Sequence, residues 1–272
     1  MSAMSTTCYR HPNRVTGASC TRCGRPICPD CMVEAPVGHH CPECVRNERK
    51  AIQRPVWQRT MRTGGLVTRV LIGINVLVFL LELGNDTIER RFAANGFAVA
   101  LGHQYYRMIT SAFLHAGVFH ILFNMLWLWL FGVQIEAVLG RVKYLVLYLV
   151  AAFGGSVCSY WFQSPRTLGV GASGAVLGLF GAYFVLGRAR QADTSQAVGL
   201  IVITLVFGLI NPLVDNYAHI GGALTGGAVA GVFVAAERME GAARVVTQVA
   251  GVAAIVGLLL FLTSIRTHQI LA

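Results

Sequence analysis

Apolar residues in this chain gather in long blocks, and the blocks begin only after about sixty polar residues. A membrane-spanning helix needs roughly 20 mainly apolar residues. Seven segments meet or approach that length: 65–83, 120–139, 144–162, 172–186, 196–210, 217–235 and 245–265. The fourth is short for a span and rich in glycine. The pattern predicts an all-α polytopic membrane protein behind a small polar head. The stretch from Glu82 to Phe119 is amphipathic and too long to be a plain connector, so part of it is expected to lie in the membrane interface.

Composition agrees with this division. Only 12% of the 272 residues are charged, against about 25% in soluble domains. Ten of the 22 Lys and Arg fall between Arg10 and Arg62, ahead of the first apolar block. A net charge of +10 invites a nucleic-acid partner. The position of the basic residues argues instead for the positive-inside rule and for anionic lipid headgroups, so no nucleic acid is expected. Arg141, Lys143, Arg188, Arg190, Arg238 and Arg244 all fall on the same side as the head. The expected topology is therefore a cytoplasmic N-terminus and an extracytoplasmic C-terminus, in the plasma membrane. The polar start predicts no cleavable signal peptide, the first span serving for insertion.

The head holds four pairs at two-residue separation: Cys8 and His11, Cys20 and Cys23, Cys28 and Cys31, Cys41 and Cys44. Two intervening residues let one tight turn aim both side chains at a single metal. Eight such ligands suffice for two tetrahedral zinc ions. Disulfides are the competing reading, and a reducing cytoplasm disfavours them. His39 and His40 are spare donors, and either could replace Cys41. No ligand position is visibly open, so the two ions are expected to be structural. A docking role toward a cytoplasmic protein partner follows most simply. The pair order resembles B-box-type cross-braced modules, which implies that pairs one and three share one ion and pairs two and four the other. Sequential pairing stays open.

Polar residues inside membranes are costly, so each is a candidate for function. His120 and Asn124 lie four apart on one helix face, with His115 just ahead of them. Interhelical hydrogen bonding would explain any one of them alone. Ser173 opens the fourth segment between Ala172 and Gly174. Serines in membrane helices are most often packing residues, but the small neighbours leave this hydroxyl uncovered. His219 opens the sixth segment, followed by Gly222, Gly226 and Ala230 at four-residue spacing. Such a smooth stripe lets that helix lie very close to the fourth, bringing an imidazole toward the serine hydroxyl. Asp215, four residues before His219, reads as a helix N-cap, with support of the His219 basicity as the alternative. Cys158 lies apart from the zinc pattern and reads as a small packing residue.

Taken together, the Gly171–Gly174 core, the Ala218–Gly222 run and the His120/Asn124 pair resemble the rhomboid family of intramembrane serine proteases. Tyr106 with Arg107 is similar to that family's aromatic–arginine pair in the first external loop, and Gly132 with Glu136 to its motif in the second helix. The resemblance covers about residues 66–235. It implies a six-helix core, with the seventh span as an added C-terminal helix. With the Cys/His pairs and the charge pattern of the head, the chain divides into a two-zinc module (1–45), a basic linker (46–64), a protease core (65–235), and a seventh helix with a short tail (236–272). The resemblance implies Ser173 as nucleophile and His219 as general base, with His120, Asn124 and the Ser173 amide lining an oxyanion hole. His115 would be a nearby structural hydrogen-bonding residue. Arg107 and Glu136 would hold the external loop, and Gly222 and Gly226 the helix contact. The implied substrate is a transmembrane helix of another protein, cut near the outer face without a catalytic cofactor. Leu177 stands where that family often has an aromatic residue against the histidine, which leaves the ring less firmly oriented. Two other readings compete: a catalytically inactive rhomboid-like protein that binds transmembrane clients, and a zinc-regulated transporter.

Overall fold

The computed structural model describes residues 6–52, 65–211 and 213–272. The chain forms two compact units, Met1–Arg62 and Thr63–Ala272. The twelve residues 53–64 of the expected linker lie outside the described residues.

The first unit has almost no ordinary core. Strands β1 (Thr7–Cys8) and β2 (His11–Val15) pair antiparallel, as do β3 (Val33–Glu34) and β4 (His39–His40). Helix α1 (Pro42–Ile52) follows and takes in the first part of the expected linker. The buried cluster is Ile27 with Cys8, Cys20, Cys28, Cys31 and Cys41. One aliphatic side chain cannot offset the chain entropy of some forty ordered residues, so another source of stability is required.

The second unit is helical. Its seven longest helices are α2 (Leu66–Glu82), α6 (Val118–Leu139), α7 (Arg141–Phe162), α8 (Ser173–Ala189), α9 (Ser195–Ile210), α10 (Asn216–Ala236) and α11 (Gly241–Leu271). They fall on the seven apolar segments of the sequence. Helices α6, α7, α10 and α11 are long and apolar enough to cross a membrane, while α8 and α9 are shorter apolar helices. At about 1.5 Å per residue, the 17 residues of α8 run roughly 25 Å, less than a hydrocarbon core of about 30 Å. The protein is an all-α polytopic membrane protein with a small Cys/His-rich N-terminal unit.

Helix α8 is the most deeply enclosed, with ten of its residues buried between α6, α7 and α10. Helix α9 is the opposite case, burying only Ala197. Gly140 alone joins α6 to α7. Its φ of +79° is costly for any other residue, and its amide donates to the Glu136 carbonyl at 2.8 Å. Between α2 and α6 the chain forms α3 (Asp86–Phe92), β5 (Ala94–Asn95), α4 (Gly96–Ala100) and α5 (Arg107–Thr110), then a 3-10 turn at Ser111–Phe113. Strand β5 pairs antiparallel with β6 (Leu168–Gly169), which ties this loop to the approach to α8.

Arg107 is 7% exposed and holds the loop from within. Its guanidinium donates to the Arg90 carbonyl at 2.8 Å, the Ala93 carbonyl at 2.9 Å and Gln104 Oε1 at 2.5 Å. Glu136 does something different from the loop-holding role the sequence suggested. Its carboxylate accepts from the Val67 amide (3.0 Å), the Thr68 amide (2.9 Å) and the Thr68 hydroxyl (2.8 Å). It therefore caps the N-terminus of α2, where an anion offsets orphan amides and the helix dipole. Gly132 makes room, since a Cβ there would lie 2.5 Å from Tyr144 Oη and 3.0 Å from Thr68 Cγ2.

Candidate active site

Three helices meet at Ser173 with their backbones nearly in contact, and glycines make this possible. A Cβ on Gly222 or Gly226 of α10 would collide with the carbonyl oxygen of Gly174 or Gly178 on α8. A Cβ on Gly174 would lie 3.3 Å from the Ala218 carbonyl oxygen, and one on Gly155 of α7 would lie 2.8 Å from that same oxygen. The residue after Ser173 thus packs against the residue before His219.

The serine stands at the head of α8. Ala172 is the N-cap and supplies no side-chain hydrogen bond, so first-turn amides remain as donors. Ser173 is half-buried. Gly171 has φ +128° and donates its amide to the Ser111 carbonyl at 2.9 Å. A Cβ at Gly171 would lie 2.7 Å from His120 Nε2 and 3.6 Å from Ser173 Oγ. The His120 ring and the serine hydroxyl therefore flank the same point, one that only glycine leaves open.

His120, in the first turn of α6, has a defined tautomer. Its Nδ1 accepts the Ala116 amide at 3.3 Å, so in the neutral ring the proton sits on Nε2, beside Gly171. Asn124 is buried and donates from Nδ2 to the His120 carbonyl at 3.1 Å, leaving its second N–H for another acceptor. His115 is 4% exposed, with its ring edge-on to that of His120 at 5.2 Å between centroids. The contact between the two rings is packing.

His219 is 4% exposed, and its buried Nδ1 meets no hydrogen-bond partner among the described residues. Among the described residues no hydrogen bond joins Ser173 to His219; in enzymes without substrate such contacts are often long. Asp215 is the N-cap of α10. Its carboxylate accepts from the Ala218 amide at 3.0 Å and from the Ser159 hydroxyl. That carboxylate is engaged in holding the start of the helix that carries His219. Leu177 is 2% exposed, one turn after Ser173.

Sequence reasoning passed over Ser111 and Glu82. Glu82 ends α2, and its carboxylate accepts the His115 amide at 3.2 Å. An acid closing an apolar block was the available signal.

In the N-terminal unit the four pairs gather as two clusters, Cys8 with His11, Cys28 and Cys31, and Cys20 with Cys23, Cys41 and Cys44. Within each, the ligand atoms all lie within 4.8 Å of one another, as holding a metal ion would require. First joins third and second joins fourth. The eight cysteines, including Cys158, are free of disulfides. Burial raises the Cys8 thiol, but hydrogen bonds from the Cys28, Arg10 and His11 backbone outweigh it, leaving it lowered to about 6. Cys20 behaves alike, lowered to about 6 against burial by the Cys41, Cys23 and Arg22 backbone. In the same clusters burial and the Cys8 and Cys28 sulfurs push Cys31 up to about 11, and the Cys41 sulfur and burial push Cys44 up to about 12, so without metal each cluster holds thiolate and thiol together.

Apolar spans around a glycine-packed serine and histidine define an integral membrane protein with a buried polar centre. Residues 102–236 match the Rhomboid domain, and the chain belongs to the rhomboid family. It is 37% identical over 149 residues to "RHOMBOID-like protein 6, mitochondrial" of Arabidopsis thaliana, covering 52% of this chain and 48% of that one. It is 29% identical over 191 residues to "Rhomboid protease GluP" of Bacillus subtilis (66% and 37%). To "Rhomboid protease AarA" of Providencia stuartii it is 26% identical over 238 residues (75% and 84%). The chain spans about half or less of the length of the first two relatives. The matched domain contains Arg107, His120, Asn124, Glu136, Ser173 and His219, and leaves out the Cys/His clusters, α2 and α11.

Proposed function

We propose that this protein is an intramembrane serine endopeptidase in which Ser173 and His219 act as a dyad. The observation that carries this reading is the glycine contact between α8 and α10. It sets Ala218, and hence His219, against Gly174, while His120 Nε2 and the serine hydroxyl both lie beside the Cβ position of Gly171. Ser173 Oγ attacks the scissile carbonyl carbon while His219 takes its proton; the same imidazolium then protonates the leaving amine. The oxyanion accepts from His120 Nε2–H and the Ser173 amide, with the free Asn124 N–H as a third donor. Water then hydrolyses the acyl-enzyme, with His219 again as base.

The substrate is a transmembrane helix cut near its outer end. The shortness of α8 supports a serine that starts below the membrane surface, within reach of water. Entry beside α9 fits the slight burial of that helix. The basic loops support a cytoplasmic head, an extracytoplasmic C-terminus and a location in the cell membrane. The reconstituted protein in liposomes, given a fluorescent transmembrane substrate, should release product, and Ser173→Ala should not. Equal cleavage by both would sink the reading, whereas an inert wild type across diverse substrates would favour a client-binding rhomboid.

We further infer that the two clusters of the head hold structural zinc. Zinc–sulfur bonds of about 2.3 Å in a tetrahedron separate sulfurs by about 3.8 Å and sulfur from imidazole nitrogen by about 3.6 Å. Cys20 and Cys44 Sγ lie 3.9 Å apart, and Cys23 and Cys41 Sγ 3.8 Å. His11 Nδ1 lies 3.8, 3.2 and 3.5 Å from the Cys8, Cys28 and Cys31 sulfurs. The ions would cross-link a unit that lacks an apolar core. The full-length protein should carry about two zinc ions per chain. Chelation should make residues 1–52 protease-sensitive; fewer than one ion, or unchanged protection, would contradict this.

A further inference from the structure

We propose that Glu82 is a positioning residue for His120. Its consequence for catalysis rests on the serine-protease reading, but its structural content does not. Residues 114–117, between the 3-10 turn and α6, belong to no helix or strand; the Leu114 amide closes the turn on the Ser111 carbonyl, and the amides after it need partners from elsewhere. Two consecutive amides find them. The His115 amide donates to Glu82 Oε2 at 3.2 Å, and the Ala116 amide donates to His120 Nδ1 at 3.3 Å. Consecutive peptide planes share one Cα, so fixing the first limits the swing of the second. A bond to a carboxylate is stronger than one to a neutral acceptor, which suits Glu82 to anchoring an irregular strap.

The Ala116 amide decides what His120 can do. While it donates to Nδ1, the neutral ring carries its proton on Nε2, the atom beside Gly171 and the serine hydroxyl. Without it, either nitrogen can hold the proton and the ring can turn. The His115 ring, edge-on to His120, is carried by the same strap. Helix α2 thus reaches the reaction centre through one carboxylate and two amides. It lies outside the matched domain segment.

The length of the side chain makes this separable from bulk or charge. Glu82→Gln keeps an acceptor at the same reach, Glu82→Asp keeps the charge but falls short, and Glu82→Ala keeps neither. Nitrogen-15 NMR of the His120 ring in the full-length protein should report the Nε2–H tautomer in wild type and in Glu82→Gln. A tautomer mixture is expected in Glu82→Ala and Glu82→Asp. On a transmembrane substrate, Glu82→Ala should lower kcat about tenfold with KM held within about twofold, and Glu82→Gln should restore most of it. In a His120→Ala background, adding Glu82→Ala should cost less than about twofold, because both changes remove one interaction. An unchanged tautomer in Glu82→Ala would overturn the proposal. So would losses that add fully to those of His120→Ala, or a Glu82→Gln variant as impaired as Glu82→Ala. An inactive wild type with the expected tautomer pattern would count against the protease reading and leave the positioning role standing.

Discussion

Ser173→Ala should reduce cleavage of a transmembrane substrate to background, a loss of at least about 10³-fold in kcat/KM. His219→Ala should do nearly the same, and the double variant should be no worse than either single one. Nucleophile and base act as a unit, so once the hydroxyl is gone the base has no proton to take. Fold integrity is not at stake at the serine. Ser173 is half-buried at a helix start, and its side chain makes no hydrogen bond among the described residues. Kinetics in liposomes, with thermal stability measured alongside, check this. Additive losses, or a stability drop large enough to account for them, would contradict a shared catalytic role.

The second large effect is expected far from any proton transfer. Gly222→Val puts a branched Cβ where the Gly174 carbonyl oxygen stands. Backbone cannot yield as a flexible side chain does, so α8 and α10 must separate. Overpacking of this kind costs about 1–3 kcal/mol where side chains adjust, and more where they cannot. A separation of about 1 Å would misplace the histidine enough to cost about 10²-fold in rate. Gly231→Val, on the same helix with nothing within 4 Å of its added Cβ, should stay close to wild type. Melting temperature and kcat/KM of both variants test this. A fully active Gly222→Val would mean that the helix contact does not set the site.

Most of the architecture was legible because the bilayer imposes its own length on the sequence. Seven apolar blocks became seven helices, differing at their ends by a few residues, as with 245–265 against Gly241–Leu271. The glycine stripe was legible for a related reason: four-residue spacing lies on one helix face, and only a backbone contact uses a face so bare. Short elements were not legible. Two-residue strands such as Ala94–Asn95 and Leu168–Gly169 carry no periodicity, and pairing across seventy residues leaves no local trace. Glu136 was assigned to the wrong partner because its two oxygens bind amides 68 and 69 positions earlier, at the start of α2. In the head, spacing alone left sequential pairing open, while the resemblance to cross-braced modules implied the grouping of first pair with third and second with fourth that the fold brings together.

Covalent labelling tests the central claim most directly. A serine-reactive fluorophosphonate should add once per chain to the full-length protein in detergent, and peptide mapping should place the adduct on Ser173. His219→Ala should abolish labelling, because an unassisted hydroxyl is too weak a nucleophile. Labelling of another residue, or undiminished labelling of Ser173 in His219→Ala, would contradict a dyad built from α8 and α10.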